Sequence, residues 1–127
     1  MDEDVRVRIL DGKGVTAAEY IQILEDRCLA QAEYKAAMQG FDAILTPTVP
    51  MAAKPVADAD PLESPAQFTR PINYLGMCAL SIPTGLTSDG LPTSLQIAAR
   101  GGDESTVLRV GAALEANQTK PNWPDLG

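Results

Sequence analysis

The chain contains no histidine. That removes Ser–His–Asp and Cys–His nucleophile systems and every metal site built on imidazole. One nucleophile system stays open: a serine activated by a lysine that desolvation keeps neutral and packing sets against the hydroxyl. Lys35 falls in a helical pattern, Lys54 in a proline-rich stretch, and Lys13 and Lys120 near the ends. None neighbours a serine in a glycine-rich loop. Carboxylate pairs for acid–base work are Asp58 with Asp60, Asp103 with Glu104, and Glu25 with Asp26. All lie adjacent or alternate on polar stretches, where they read as solvated charges. Cys28 and Cys78, about fifty positions apart, offer neither zinc spacing nor a disulfide framework and read as two buried, reduced thiols. No phosphate-cradling G-x-x-x-x-G-K-[ST] motif occurs, and Gly101-Gly102-Asp103 puts an acid where a helix start would bind an anion. No cofactor and no metal are expected, and these residues by themselves are expected to be catalytically silent.

Most of the elements that must position any site are marked locally. Thr16-Ala17-Ala18-Glu19 is a capping box opening a long N-terminal helix over 17–39, with Gly40 as its stop. At ~100° per residue, Tyr20, Ile23, Leu24, Cys28, Tyr34 and Met38 share one face. Glu19, Gln22, Glu25, Asp26 and Glu33 share the other, and Leu29 and Gln31 fit neither. Residues 43–46 are long enough only for a short strand. Pro47, Pro50, Pro55, Pro61 and Pro65 then exclude any regular element interior and predict a long loop. A helix over 64–75, capped by Ser64 and stopped by Gly76, should be weak or split at Pro71. The apolar run 78–82 reads as a strand buried on both faces. Ser88-Asp89-Gly90 marks a turn, and 93–99 return as its antiparallel partner, with Leu95, Ile97 and Ala99 alternating against Ser94, Gln96 and Ala98. Asp103 caps a C-terminal helix over 104–117 that presents Val107, Val110, Gly111 and Leu114, the glycine permitting close approach to the sheet. The tail, residues 119–127, is expected to be irregular and anchored by Trp123.

Composition bounds the function. The 127 residues suit one domain, and a 45% hydrophobic fraction suits a chain that buries a core. A net charge of −7 with no basic stripe argues against nucleic acid and anionic membrane surfaces. No stretch approaches the ~18 apolar residues of a membrane span. The acidic start Met1-Asp2-Glu3-Asp4 is unlike a secretory signal, and with the cysteine usage it predicts a cytoplasmic protein.

Three motifs carry a resemblance. The first is Phe68-Thr69-Arg70-Pro71-Ile72-Asn73-Tyr74-Leu75-Gly76, followed by Ala79-Leu80-Ser81-Ile82-Pro83 and Gly90-Leu91-Pro92-Thr93-Ser94-Leu95-Gln96-Ile97. The second is Phe41-Asp42-Ala43-Ile44-Leu45-Thr46-Pro47-Thr48-Val49-Pro50. The third is the entry to the long helix, from Val5-Arg6-Val7-Arg8-Ile9-Leu10 to Gly14 and on to Tyr20. In this order they resemble the C-terminal part of amidase signature hydrolases. The resemblance implies an α/β fold: the last strands and helices of a mixed-sheet domain, here a long N-terminal helix, about three short strands and a C-terminal helix.

It also implies hydrolysis of amide C–N bonds by a Ser–cis-Ser–Lys triad. The triad's lysine, Gly/Ser-rich loop and nucleophilic serine belong to an N-terminal part without counterparts here. By that resemblance residues 1–127 are a single partial domain, and Phe68, Thr69, Arg70 and Asn73 line the acyl side of a substrate pocket. The implied partners are the N-terminal amidase part, or further copies of this chain, and a small-molecule amide in the complete enzyme. The alternative is a non-catalytic binding or oligomerisation module derived from the same fold. Met77-Cys78 departs from the Leu-Pro that many members carry and implies packing rather than chemistry.

Overall fold

The computed structural model describes residues 3–60 and 63–118. Pro61, Lys120, Trp123 and the expected irregular tail lie outside the described residues. Helix α1 spans Glu3–Leu10 and is followed by a 3-10 turn, Asp11–Gly14. Helix α2 spans Ala17–Ala37. Its capping box forms as the sequence predicts: the Thr16 hydroxyl accepts from the Glu19 amide, and the Glu19 carboxylate accepts from the Thr16 amide at 2.8 Å. That interaction holds the Glu19 carboxyl below its ordinary range. The helix ends two residues before the expected Gln39, and Gly40 follows in a left-handed conformation, φ 84°.

Three strands form one antiparallel sheet in the order β1-β3-β2, with β1 at Ile44–Pro47, β2 at Cys78–Leu86 and β3 at Pro92–Ala99. The β2–β3 connection is the expected turn, closed by Thr87 N–H donating to the Leu91 carbonyl at 2.8 Å. Helix α4, Glu104–Asn117, is capped by Asp103, whose carboxylate accepts from the Thr106 amide and the Ser105 hydroxyl. The Thr106 and Ser105 side chains, with a smaller contribution from the Thr106 amide, keep the Asp103 carboxyl below its usual range.

The core lies between α4 and one face of the sheet. Ile82, Ile97, Ala99 and Val107 form its centre, with Leu80, Leu95, Val110 and Leu114 packed around them. Gly111 brings α4 close: a Cβ there would sit 2.4 Å from Leu80 Cδ2.

Several expectations are corrected. The run 78–82 is not buried on both faces. It belongs to an edge strand in which Leu80 and Ile82 turn inward while Ala79 and Ser81 are exposed. Cys28 is exposed rather than buried, and Cys78 is half-buried, its thiol donating to the Arg100 carbonyl; both are free. Of the apolar face expected on α2 and its exit, only Met38 is buried and Tyr34 half-buried, because described residues cover just that end. The segment 64–75, by contrast, is split near Pro71 as the sequence predicts, with its Ser64 cap and Gly76 stop in place. A 3-10 turn, Pro65–Gln67, is capped by Ser64, and α3, Arg70–Leu75, carries Pro71 in its first turn, where the missing N–H costs no helical bond.

Candidate functional site

A polar row crosses the sheet face opposite α4. Register places Thr46, Gln96 and Ser81 in one row across β1, β3 and β2, and alternation points all three away from the core. The Thr48 and Ser81 hydroxyls lie 2.7 Å apart at the edge of this row. Part of this face is dry, since only 3% of Gln96 and 2% of Ala98 beside it are exposed. The Gln96 side-chain amide donates to the Thr46 hydroxyl and to the Phe68 carbonyl, both at 3.1 Å.

That second bond joins the sheet to the segment resembling a pocket lining. Phe68 and Thr69 are half-buried, and Arg70 and Asn73 are exposed. Phe68 closes the 3-10 turn, and Thr69 is the N-cap residue of α3 but makes no side-chain capping bond. Thr69 and Asn73, four apart, share one side of the short helix. Asn73 acts structurally through its backbone: its carbonyl, with that of Tyr74, accepts from the Arg27 guanidinium of α2 at 3.3 and 2.7 Å. A cation is favourable at a helix C-terminus, where carbonyls lack intrahelical partners. Gly76, left-handed at φ 69°, ends α3 there. Arg70 does not join the Thr69–Asn73 side, and its guanidinium donates to the Ser64 hydroxyl at 2.9 Å. The structure thus brings the four residues onto one anchored segment without converging all four on one point.

The sequence reading missed the groups that do the anchoring: Gln96, Thr46, Arg27 and Ser64. A single amide between Leu95 and Ile97 was the available signal for Gln96, but alternation alone assigns it to the side away from the core and says nothing of burial.

Among the described residues no lysine is hydrogen-bonded to a serine. Lys54 pairs with Glu63, while the Ser64, Ser81, Ser88 and Ser105 hydroxyls engage Arg70, Thr48, Asp89 and Asp103. Nor does any group of three or more Cys, Asp or Glu among them come together around a metal-sized space. No helix among the described residues is long and apolar enough to cross a membrane. One polar atom stands apart. The Tyr34 hydroxyl is buried without a partner, and desolvation raises its pKa. It lies beside an open hollow formed with Lys35, Gly76 and Arg100, on α2 and away from the Thr46–Gln96–Ser81 row.

Residues 1–108 match the family model described as Amidase. The chain is 40% identical over 123 residues to the A subunit of the glutamyl-tRNA(Gln) amidotransferase of Granulibacter bethesdensis, covering 88% of this chain and 24% of that one. It is 39% identical to the same protein of Rhodospirillum rubrum, covering 89% and 24%. A crystal structure of an amidase superposes with a TM-score of 0.83 at 27% identity, covering 94% of this chain and 29% of that one. The corresponding Thermotoga maritima protein superposes at 0.72 with 30% identity, covering 98% and 30%. The chain therefore spans about a quarter of the length of the curated relatives it matches.

Proposed function

The chain belongs to the amidase family, and from that premise we propose that it supplies the substrate-positioning C-terminal part of an enzyme that hydrolyses amide C–N bonds. In this reading the Ser–cis-Ser–Lys triad comes from an N-terminal part. There the lysine draws a proton through the cis-peptide serine as the second serine attacks the amide carbonyl, and backbone amides hold the oxyanion. That proton returns to the nitrogen as the C–N bond breaks and the amine leaves, and water then cleaves the acyl-serine ester to acid and free serine. Residues 1–127 are then one partial domain that contributes pocket lining without a nucleophile of its own.

The observation that carries this reading is how residues 68–75 are held. Their structural bonds use the Phe68, Asn73 and Tyr74 carbonyls. The Thr69 hydroxyl makes no capping bond, and the Asn73 amide is exposed on the same side of α3. A rigid backbone offering uncommitted polar side chains suits the orientation of an acyl group. Arg70, with Ser64 occupying one edge of its guanidinium, suits an anionic substituent.

The test mixes this chain with an N-terminal amidase part bearing the lysine and both serines. Amide hydrolysis should appear in the mixture and in neither half alone. Asn73→Ala and Thr69→Val should shift KM and substrate preference by about tenfold to a hundredfold, the loss of one buried hydrogen bond. Arg70→Ala should penalise acidic substrates selectively. Turnover by the isolated chain that disappears on changing one of its own serines would overturn the reading, as would an associating mixture that hydrolyses nothing.

A second reading, self-association through a non-catalytic module, is favoured by one observation. Ile21, Ile23, Leu24 and Leu29 of α2 are 40–63% exposed. Such a surface, beside two sheet edges unpaired among the described residues, favours cover by a partner. A compact monomer in sedimentation at micromolar concentration would remove this reading.

A further inference from the structure

We propose that Gln96 is a positioning residue for substrate selection: its buried amide joins the Phe68 carbonyl to the Thr46 hydroxyl and so sets where residues 68–73 stand over the sheet. The proposal rests on the amidase reading above. The amide orientation follows from its partners. A backbone carbonyl only accepts, so the NH2 group must face Phe68. That group has two hydrogens and two acceptors, each at 3.1 Å. With 3% of the residue exposed, water is a poor substitute for either partner. Removing the amide would strand the Thr46 hydroxyl and the Phe68 carbonyl together.

The lever is short. Phe68 directly precedes Thr69, and the far end of the segment is fixed independently by Arg27 on the Asn73 and Tyr74 carbonyls. Releasing the Phe68 end lets α3 pivot about the Arg27 end, which displaces Thr69 more than Asn73. Small displacements of groups that orient a substrate are costly, since a misplacement of about 1 Å can cost about a hundredfold.

Two measurements decide it. In the chain alone, the volume-matched Gln96→Met should speed hydrogen exchange of amides in residues 68–76 by about tenfold or more, while amides at Ile97 and Val107 keep their protection. Unchanged exchange in 68–76 overturns the proposal, and so does acceleration shared equally by the whole folded chain. Should Gln96→Met unfold the chain outright, Thr46→Val carries the test. It should loosen 44–48 and 68–73 alone, and no effect on 68–73 overturns the proposal. In the mixture with the N-terminal part, Gln96→Met should raise KM about tenfold and reorder the preferred amides, with kcat within about threefold. A fall in kcat at unchanged KM and unchanged ranking would make Gln96 merely structural and overturn the selection role. If the unsubstituted mixture hydrolyses no amide, the amidase reading itself fails and takes the selection role with it, whatever the exchange data say about the Gln96 tie.

Discussion

Residues 78–117 and residues 3–37 both carry many large apolar side chains, yet only the first region buries them. In the β2–β3–α4 unit Ile97 and Ala99 are fully enclosed and Ile82 and Val107 nearly so. Among the described side chains of α1 and α2 none is buried, and Val5, Val7, Ile9, Tyr20 and Ile21 stand 47–60% exposed. The first region is held by area removed from water, and the second by its own backbone and caps. A helix can therefore form where its apolar face has no partner, but its position relative to the sheet then depends on a few polar ties. Those ties are Arg100 to the Met38 and Phe41 carbonyls at the exit of α2, and Arg27 to the end of α3.

The harshest way to break this contrast is Ile97→Ala. It opens a cavity at the one large side chain that is fully enclosed among the described residues, at about 2–5 kcal/mol. Chemical denaturation should show the sheet and α4 unfolding together at lower denaturant. If α2 helicity falls in the same transition by the same amount, the two regions are one cooperative unit and the contrast is wrong.

Gly101→Ala should come next, at roughly 1–3 kcal/mol. A Cβ at Gly101 would lie 2.1 Å from the Gly76 carbonyl oxygen, a backbone atom that cannot swing aside. Melting of the variant should be lowered, and the amides around Gly76 should lose exchange protection first. Gly111→Ala makes a useful control, because its obstacle is the flexible tip of Leu80.

Thr16→Ala should cost about 1 kcal/mol, confined to α2, because it removes one half of the capping box. Circular dichroism should show lost helicity with the β2–β3–α4 transition unmoved. The smallest effect is expected from acid. The Glu19 and Asp103 carboxyls are held below their ordinary values by the hydrogen bonds they accept. Their stabilisation is fully present above the unfolded-state values and is lost as pH falls through the lower folded values. A titration followed by NMR should show both helix N-termini fraying below the usual carboxylate range, with α2 fraying further because its first turn is exposed while Thr106 and Val107 of α4 are buried. Equal fraying would mean that packing under α4 matters less than the burial suggests.

Much of this was readable from residue order. Thr16 with Glu19, Asp103 before α4, Ser88-Asp89-Gly90 between the long strands, and the Val107–Val110–Gly111–Leu114 stripe each report interactions a few positions long. The amidase motifs sit on the same elements and mark the family. What escaped reading is long-range. Nothing in Ala79 or Ser81 says that their side of the edge strand stays wet.

Gln96 shows the division most plainly. Its place on β3, facing away from Leu95 and Ile97, follows from the two-residue period of a strand and needs no partner. Its burial and its bonds to Phe68 and Thr46 depend on groups 28 and 50 positions away. Caps, turns and periodicities are written locally because backbone hydrogen bonds and side-chain spacing act over a turn or a strand pair. Which polar group is dried out, which apolar face is left in water, and where the 68–75 segment rests are settled only when distant segments meet and compete for the same surface.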